Sequence, residues 1–240
     1  MKLQFDATQN YQLDAVRAVV DIFEGQPLNK GTFEVSYQNT EAGTIFSEQG
    51  VGNRLVLTDE QILKNVQIVQ ERHGIPRSEQ LETAAYRDTE GNAREIALNI
   101  TVEMETGTGK TYTYLRTIYE LHKVYGFRKF VIVVPSVAIR EGTIKNLEIT
   151  HEHFQALYGN PPVNFTVYDS GKLSALRNFA TADAIQILVI NIDSFTKDTN
   201  VINQLRERGA RPIDSILTTN PIMIVDEPQN METDVRNAAI

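Results

Sequence analysis

The chain has 240 residues, 41% of them hydrophobic, which is enough for one α/β domain with a full core and a small insertion. It contains no Cys, which excludes disulfides and thiolate metal sites and fits a reducing, cytoplasmic setting. Its net charge of −8 excludes nucleic-acid binding by bulk charge alone but leaves a local basic face open, no apolar run approaches the ~20 residues that cross a bilayer, and the N-terminus lacks the apolar core of a secretory signal.

In chain order, Phe5 to Glu24 reads as a short lead-in and a helix, with Leu13, Val16, Val20 and Phe23 at helical spacing and Gly25-Gln26-Pro27 ending it. From Leu28 to Ala97 the character changes. Phe33 to Tyr37 alternates like a strand, and Thr58-Asp59-Glu60-Gln61 is a capping box opening a helix that carries Ile62, Leu63, Val66 and Val69 and closes at Gly74-Ile75-Pro76. With eleven Asp/Glu against seven Lys/Arg and no chemical motif, this stretch reads as an insertion or accessory lobe. From Leu98 the rhythm becomes strand, helix, strand. Strands are predicted over Ile100–Met104, Phe130–Val134, Asn164–Tyr168, Ile185–Ile190 and Ile222–Val225, and helices over Lys110–Tyr125, Val137–Tyr158 and Leu173–Phe179. Phe130-Val131-Ile132-Val133-Val134 is apolar throughout, as a strand covered on both faces must be. Alternating βα units predict an α/β fold with a mostly parallel, doubly wound sheet and helices on both faces.

Met104-Glu105-Thr106-Gly107-Thr108-Gly109-Lys110-Thr111 follows the phosphate-loop pattern except that Met104 stands where the first glycine would be. Gly107 and Gly109 let the backbone curl so that successive N–H groups point at one anion, and the helix starting near Lys110 adds its positive end. Lys110 reaches the β- and γ-phosphates, and the Thr111 hydroxyl faces Mg²⁺. Thr106 and Thr108 complete the loop. The other prominent feature is an apolar strand that ends in two carboxylates, Asp226 and Glu227. Alone, such a pair is usually the solvated start of a loop. Beside a phosphate loop, Asp226 fits the magnesium shell and Glu227 the polarisation of the attacking water.

These motifs resemble those of superfamily 2 helicases. Met104 to Thr111 is similar to motif I, and Asp226-Glu227-Pro228-Gln229 to a motif II variant of the DEAD/DEAH type. Together they are closest in type to the Res subunit of type III restriction-modification enzymes. Val134 to Gly142 resembles that family's motif Ia. Tyr168-Asp169-Ser170 with Leu173 to Phe179, and Asn191-Ile192-Asp193-Ser194-Phe195, sit where its DNA-facing loops fall. Phe5 and Tyr11-Gln12 resemble the N-terminal glutamine motif that reads adenine. The resemblance implies a RecA-like P-loop NTPase using ATP and Mg²⁺, acting on double-stranded DNA beside a modification (methyltransferase) subunit that supplies site specificity. It divides the chain into residues 1–27 with the glutamine motif, 28–97 as the accessory lobe, and 98–240 as the first motor domain. A second motor domain with its arginine finger, and a nuclease domain, have no counterpart here, so a fragment is expected.

Several assignments have plainer alternatives. Gln12 offers both a donor and an acceptor to an adenine edge, but a lone Gln on a helix normally faces solvent. Ser136, Arg140 and Ser194 are candidate DNA contacts, and Lys and Arg outnumber Glu from Lys110 to Lys145. Otherwise Ser136 is a helix cap and Arg140 a surface arginine. The four His are scattered and are assigned no role, and Tyr112, Tyr114, Tyr119 and Tyr125 are expected to pack. The competing function is a regulatory nucleotide-binding module without turnover, or another superfamily 2 ATPase without a nuclease. Stimulation of ATP turnover by DNA separates the motor from the module.

Overall fold

The computed structural model describes residues 5–28, 31–39, 44–87, 93–194, 199–204 and 211–230, with the backbone alone for 31–39, 44–49, 84–87, 93–97 and 230. Four strands form one parallel sheet: β5 (Lys129–Val134), β6 (Val163–Val167), β7 (Ile185–Asn191) and β8 (Ile222–Val225), in the order β6-β7-β5-β8. Alternate residues of β5 enter two different cores, because side chains along a strand point to opposite faces. Phe130, Ile132 and Val134 pack with Val16 and Val20 of α1 (Asn10–Asp21), Leu115 and Ile118 of α3 (Lys110–Tyr125), and Leu147 and Phe154 of α4 (Val137–Tyr158). Val131 and Val133 pack with Leu176 and Phe179 of α5 (Ser174–Thr181) and Ile216 of α6 (Pro212–Leu217). All six residues of β5 are buried, which accounts for the unbroken apolar run from Phe130 to Val134. Each such side chain contributes roughly 1.5–3 kcal/mol of burial free energy. The expected α/β architecture is therefore present.

One predicted strand is absent. Residues 100–104 join no sheet among the described residues, and Ile100 and Val102 are 38% and 45% exposed. Apolar alternation makes a strand only where a neighbour takes up its N–H and C=O groups. Among the described residues, β8 pairs with β5 alone, so this segment has not been added to the outer edge of the sheet.

The stretch read as an accessory lobe holds two antiparallel hairpins, β1 (Gly31–Asn39) with β2 (Thr44–Gly52) and β3 (Thr83–Arg87) with β4 (Ala93–Leu98). Between them lies α2 (Asp59–Arg72), opened by the expected capping box of Thr58 and Gln61. This helix packs on the main core. Ile62 is fully buried there, Asn65 Nδ2 donates to the carbonyls of Ile22 and Glu24 at 3.0 and 2.9 Å, and Arg72 pairs with Asp21 at 2.7 Å. Asn53 secures the start of β5. Its Nδ2 donates to Lys129 O at 2.7 Å, and its Oδ1 accepts from the N–H groups of Arg128 and Lys129 at 2.8 and 3.1 Å. The Lys129 ammonium, fully buried, donates to the carbonyls of Phe179 and Ala182 and so caps the end of α5. These contacts lie at the amino ends of the strands and leave the carboxyl ends open. No described helix is long and apolar enough to cross a membrane.

Candidate nucleotide site

The loop before α3 is built by its own backbone. A turn closes where the Thr108 hydroxyl donates to Glu105 O at 2.6 Å. Gly107 and Gly109 follow with φ of +82° and +86°, the left-handed region that glycine enters at no steric cost. Gly109 is the N-cap of α3 and supplies no side chain to it, so the first-turn N–H groups remain available to an external anion. Around Gly107 an added Cβ would meet nothing within 4 Å, so that side of the loop is open. At Gly109 an added Cβ would lie 2.6 Å from Gln12 Nε2. Gly109→Ala therefore faces both the left-handed penalty of roughly 1–2 kcal/mol and a collision, whereas Gly107→Ala faces only the first. We expect Gly109→Ala to lose more nucleotide affinity than Gly107→Ala. Titration of the two variants with ATP checks this, and equal losses would remove Gln12 from the wall of the loop.

Gln12 is 8% exposed, and its Nε2 donates to Thr108 O at 2.9 Å. It is not the solvent-facing glutamine of the plainer alternative. An amide carries two N–H donors and a carbonyl acceptor, so this bond still leaves one of each for a base edge. Phe5 stacks on Tyr112 with centroids 5.9 Å apart, and the Tyr112 hydroxyl is 2.9 Å from His153 Nε2.

The acidic pair closes the other side. The N–H of Asp226 donates to Val133 O at 3.0 Å, which extends the β8–β5 ladder to the carboxylate itself. Burial raises the Asp226 pKa above the ordinary carboxylate value. The Tyr114 hydrogen bond and the Lys110 charge oppose that rise, and the Glu227 charge adds to it. Tyr114 Oη donates to Asp226 Oδ2 at 3.3 Å. Burial, with the Asp226 charge adding to it, pushes the Tyr114 phenol well above its usual pKa, so it keeps its proton. Glu227 has φ of +51°, a conformation non-glycine residues hold only under constraint from their surroundings and one that collects at functional sites. The charges of Lys110 and Glu227 thus both act on Asp226 at the end of β8. A triphosphate fits the uncapped helix start and the open side at Gly107. Magnesium, a hard ion taking few protein oxygens, fits the Thr111 hydroxyl and the Asp226 carboxylate.

The candidate DNA contacts are only partly gathered. Ser136 caps α4, accepting from the N–H of Ile139 at 3.3 Å, as its plainer alternative supposed. Arg140 pairs with Glu141 at 3.0 Å and, with Ser194, Tyr168, Ser170, Asn191 and Asp193, lines a cleft of about 290 Å³. Tyr168 follows β6 and Asn191 ends β7, so this cleft, like the nucleotide loop, lies at the carboxyl ends of the strands, where open α/β sheets take their ligands. Phe195 lies outside the described residues. Of the four tyrosines expected to pack, Tyr112, Tyr119 and Tyr125 join the core. Tyr114 packs against it while its hydroxyl reaches Asp226, a role that sequence reasoning missed.

A glycine-built anion loop at the head of a core helix, facing carboxylates at the end of a parallel strand, defines a P-loop nucleotide-binding domain of the helicase-like class. A family profile described as "Type III restriction enzyme, res subunit" matches residues 7–234, and the chain belongs to that family of restriction enzymes. It is 32% identical to the EcoP15I Res subunit of Escherichia coli over 75% of this chain and 19% of the relative. It is 31% identical to the EcoPI Res subunit of Escherichia phage P1 over 86% of this chain and 24% of the relative. With the StyLTI Res subunit of Salmonella typhimurium it shares 34% identity over 57% of this chain and 16% of the relative. The chain thus spans about a quarter or less of the length of these curated relatives.

Proposed function

We propose that this chain is the ATP-binding first motor domain of a type III Res subunit, which couples ATP hydrolysis to action on double-stranded DNA alongside a modification subunit in the cytoplasm. Residues 1–27 bring the base-reading glutamine, 98–240 form the motor core, and 28–97 are an accessory lobe whose helix α2 braces α1. The observation that carries this reading is the Tyr114–Asp226 contact, which joins the helix after the phosphate loop directly to the acidic pair. Bound Mg-ATP supplies the phosphoanhydride that is cleaved. Lys110 and the loop N–H groups hold its phosphates, Thr111 and Asp226 offer oxygens to the metal, and Glu227 orients a water. Arg140 and Ser194 are the side chains offered to the DNA backbone, across the cleft that also holds Tyr168 and Ser170.

The test is a titration of the purified chain with a fluorescent ATP analogue, with and without Mg²⁺, competed by ATP and by GTP. Mg²⁺-supported binding is expected, and its absence would overturn the reading. ATP should compete better than GTP, and Gln12→Ala should level the two while retaining part of the phosphate affinity. Equal competition in the unmutated chain would take Gln12 out of base recognition.

A further inference from the structure

At the far end of α3 from the nucleotide loop, the fold holds a cavity of about 470 Å³, within the size range of ligand sites. It lies where Gly126 ends α3 and where Arg128 and Pro161 lead into β5 and β6, at the amino ends of the strands. The 16 residues of α3 put roughly 24 Å between it and Gly109. Its base is aromatic and its rim apolar. Tyr119, buried, stacks on Tyr158 with centroids 5.3 Å apart, and Leu28, which also lines the cavity, is 72% exposed. Its charge runs against that of the chain. The net charge is −8, yet the lining includes Lys123 and Arg128 and no carboxylate. Lys123 Nζ lies over the Tyr158 ring, 5.8 Å from its centroid. Next to them Arg116, buried, donates to two neutral acceptors, Ala7 O at 2.7 Å and Tyr158 Oη at 3.4 Å. The carboxylates paired with these three cations are two, Glu120 at 3.7 Å from Lys123 and Asp183 at 3.0 Å from Arg128. His122 adds an acceptor to the lining. Its Nδ1 is 3.0 Å from Phe127 O, and a carbonyl only accepts, so Nδ1 carries the ring proton and Nε2 is left to accept. Burial lowers the pKa of this imidazole and keeps it neutral.

We propose that this cavity is a docking site for an extended segment of another protein, a segment that is acidic and carries a large apolar side chain. Such a segment answers every feature of the lining: an apolar group for the tyrosines and Leu28, carboxylates for Lys123 and Arg128, and a backbone N–H for His122. A nucleic-acid strand answers fewer of them, because Tyr119 is buried and Lys123 already lies over the face of Tyr158 on which a base would stack. Charge also selects the place. An acidic segment is repelled by a chain of net charge −8 and attracted to the cations around this cavity. A partner held there leaves the nucleotide loop and the Arg140 cleft uncovered, since both lie at the carboxyl ends of the strands. The proposal stands on this cavity alone and does not depend on the nucleotide-site reading.

The test selects random peptides displayed on phage against the immobilised 240-residue chain, then measures the enriched peptides, synthesised with a fluorescein label, by fluorescence anisotropy. Enriched peptides should combine Asp or Glu with a Phe, Tyr, Leu or Ile. Lys123→Glu should weaken their binding about fivefold or more, because it replaces an attraction at an exposed site with a repulsion. Leu28→Asp should weaken it roughly tenfold, because the peptide's apolar side chain loses its cover. Both residues lie at the surface, so the thermal unfolding midpoint should stay unchanged in both variants, and if one does not fold the other carries the test. No enrichment, enrichment of peptides without acidic residues, or an affinity unmoved by either folded variant would overturn the proposal. Sedimentation of the unmutated chain checks the other occupants. Self-association that Lys123→Glu abolishes would make a second copy the occupant and overturn the assignment to another protein. Binding of labelled oligothymidylate that Lys123→Glu abolishes, with the peptides unmoved, would overturn it in favour of a nucleic-acid strand.

Discussion

Replacing Lys110 with alanine is expected to weaken ATP binding by roughly 10- to 150-fold, the equivalent of ~1.5–3 kcal/mol for a charge-assisted contact. The reason lies in how little else in the loop carries charge. Gly107 and Gly109 contribute backbone donors only, and α3 begins without a side-chain cap, so Lys110 is the one full positive charge within the motif. It also opposes the burial that raises the Asp226 pKa. Without it, Asp226 loses a neighbour that favours its ionised form, and Mg²⁺ support of binding should weaken as well. Isothermal titration with ATP, plus and minus Mg²⁺, measures both effects. Thermal unfolding should change little, because Lys110 is half-exposed at a helix start. A folded Lys110→Ala variant with unchanged ATP affinity would sink the phosphate-loop assignment.

What could be read from the sequence was whatever is decided locally or by burial on both faces. Helix α4 runs from Val137 to Tyr158 as expected because Ser136 caps one end and Gly159, at φ +77°, ends the other. Strand β5 was legible because five consecutive apolar residues have no other use in a chain of this kind. The loop and the acidic pair were legible because the chemistry of phosphate and magnesium restricts residue type and spacing. What escaped was decided at a distance. Residues 100–104 have the pattern of a strand and no partner in the described structure, and pattern alone does not contain the partner. Nothing in the sequence singles out Asn53, yet its amide serves a strand 76 positions away. Tyr114 sits among four tyrosines of one helix, and only the structure distinguishes it, through a bond to a carboxylate 112 positions on.

The rate of hydrolysis by this chain alone should be very low. Cleaving the terminal phosphate needs the phosphates and metal held, a water oriented, and the charge of the transition state neutralised. Lys110, Thr111 and Asp226 answer the first need and Glu227 the second. The third is usually met by an arginine worth roughly 10³–10⁵ in rate where it has been dissected in related P-loop enzymes. Among the described residues, four arginines are already engaged. Arg116 donates to Ala7 O at 2.7 Å, Arg128 pairs with Asp183 at 3.0 Å, Arg140 with Glu141 at 3.0 Å and Arg211 with Asp214 at 2.8 Å. In the family this chain belongs to, the resemblance places that arginine on a second motor domain, and the curated relatives extend well beyond the matched region. We therefore expect residues 1–240 to bind Mg-ATP and to turn it over far below one per second, with little stimulation by double-stranded DNA. Phosphate release at steady state, with and without DNA, beside a Glu227→Gln control, measures this directly. Turnover of about one per second or faster that disappears in the control would mean that the charge is met within this chain or across a pair of its copies. A dependence of the rate on protein concentration would then separate those two sources, since an arginine supplied by a second copy acts only in the dimer.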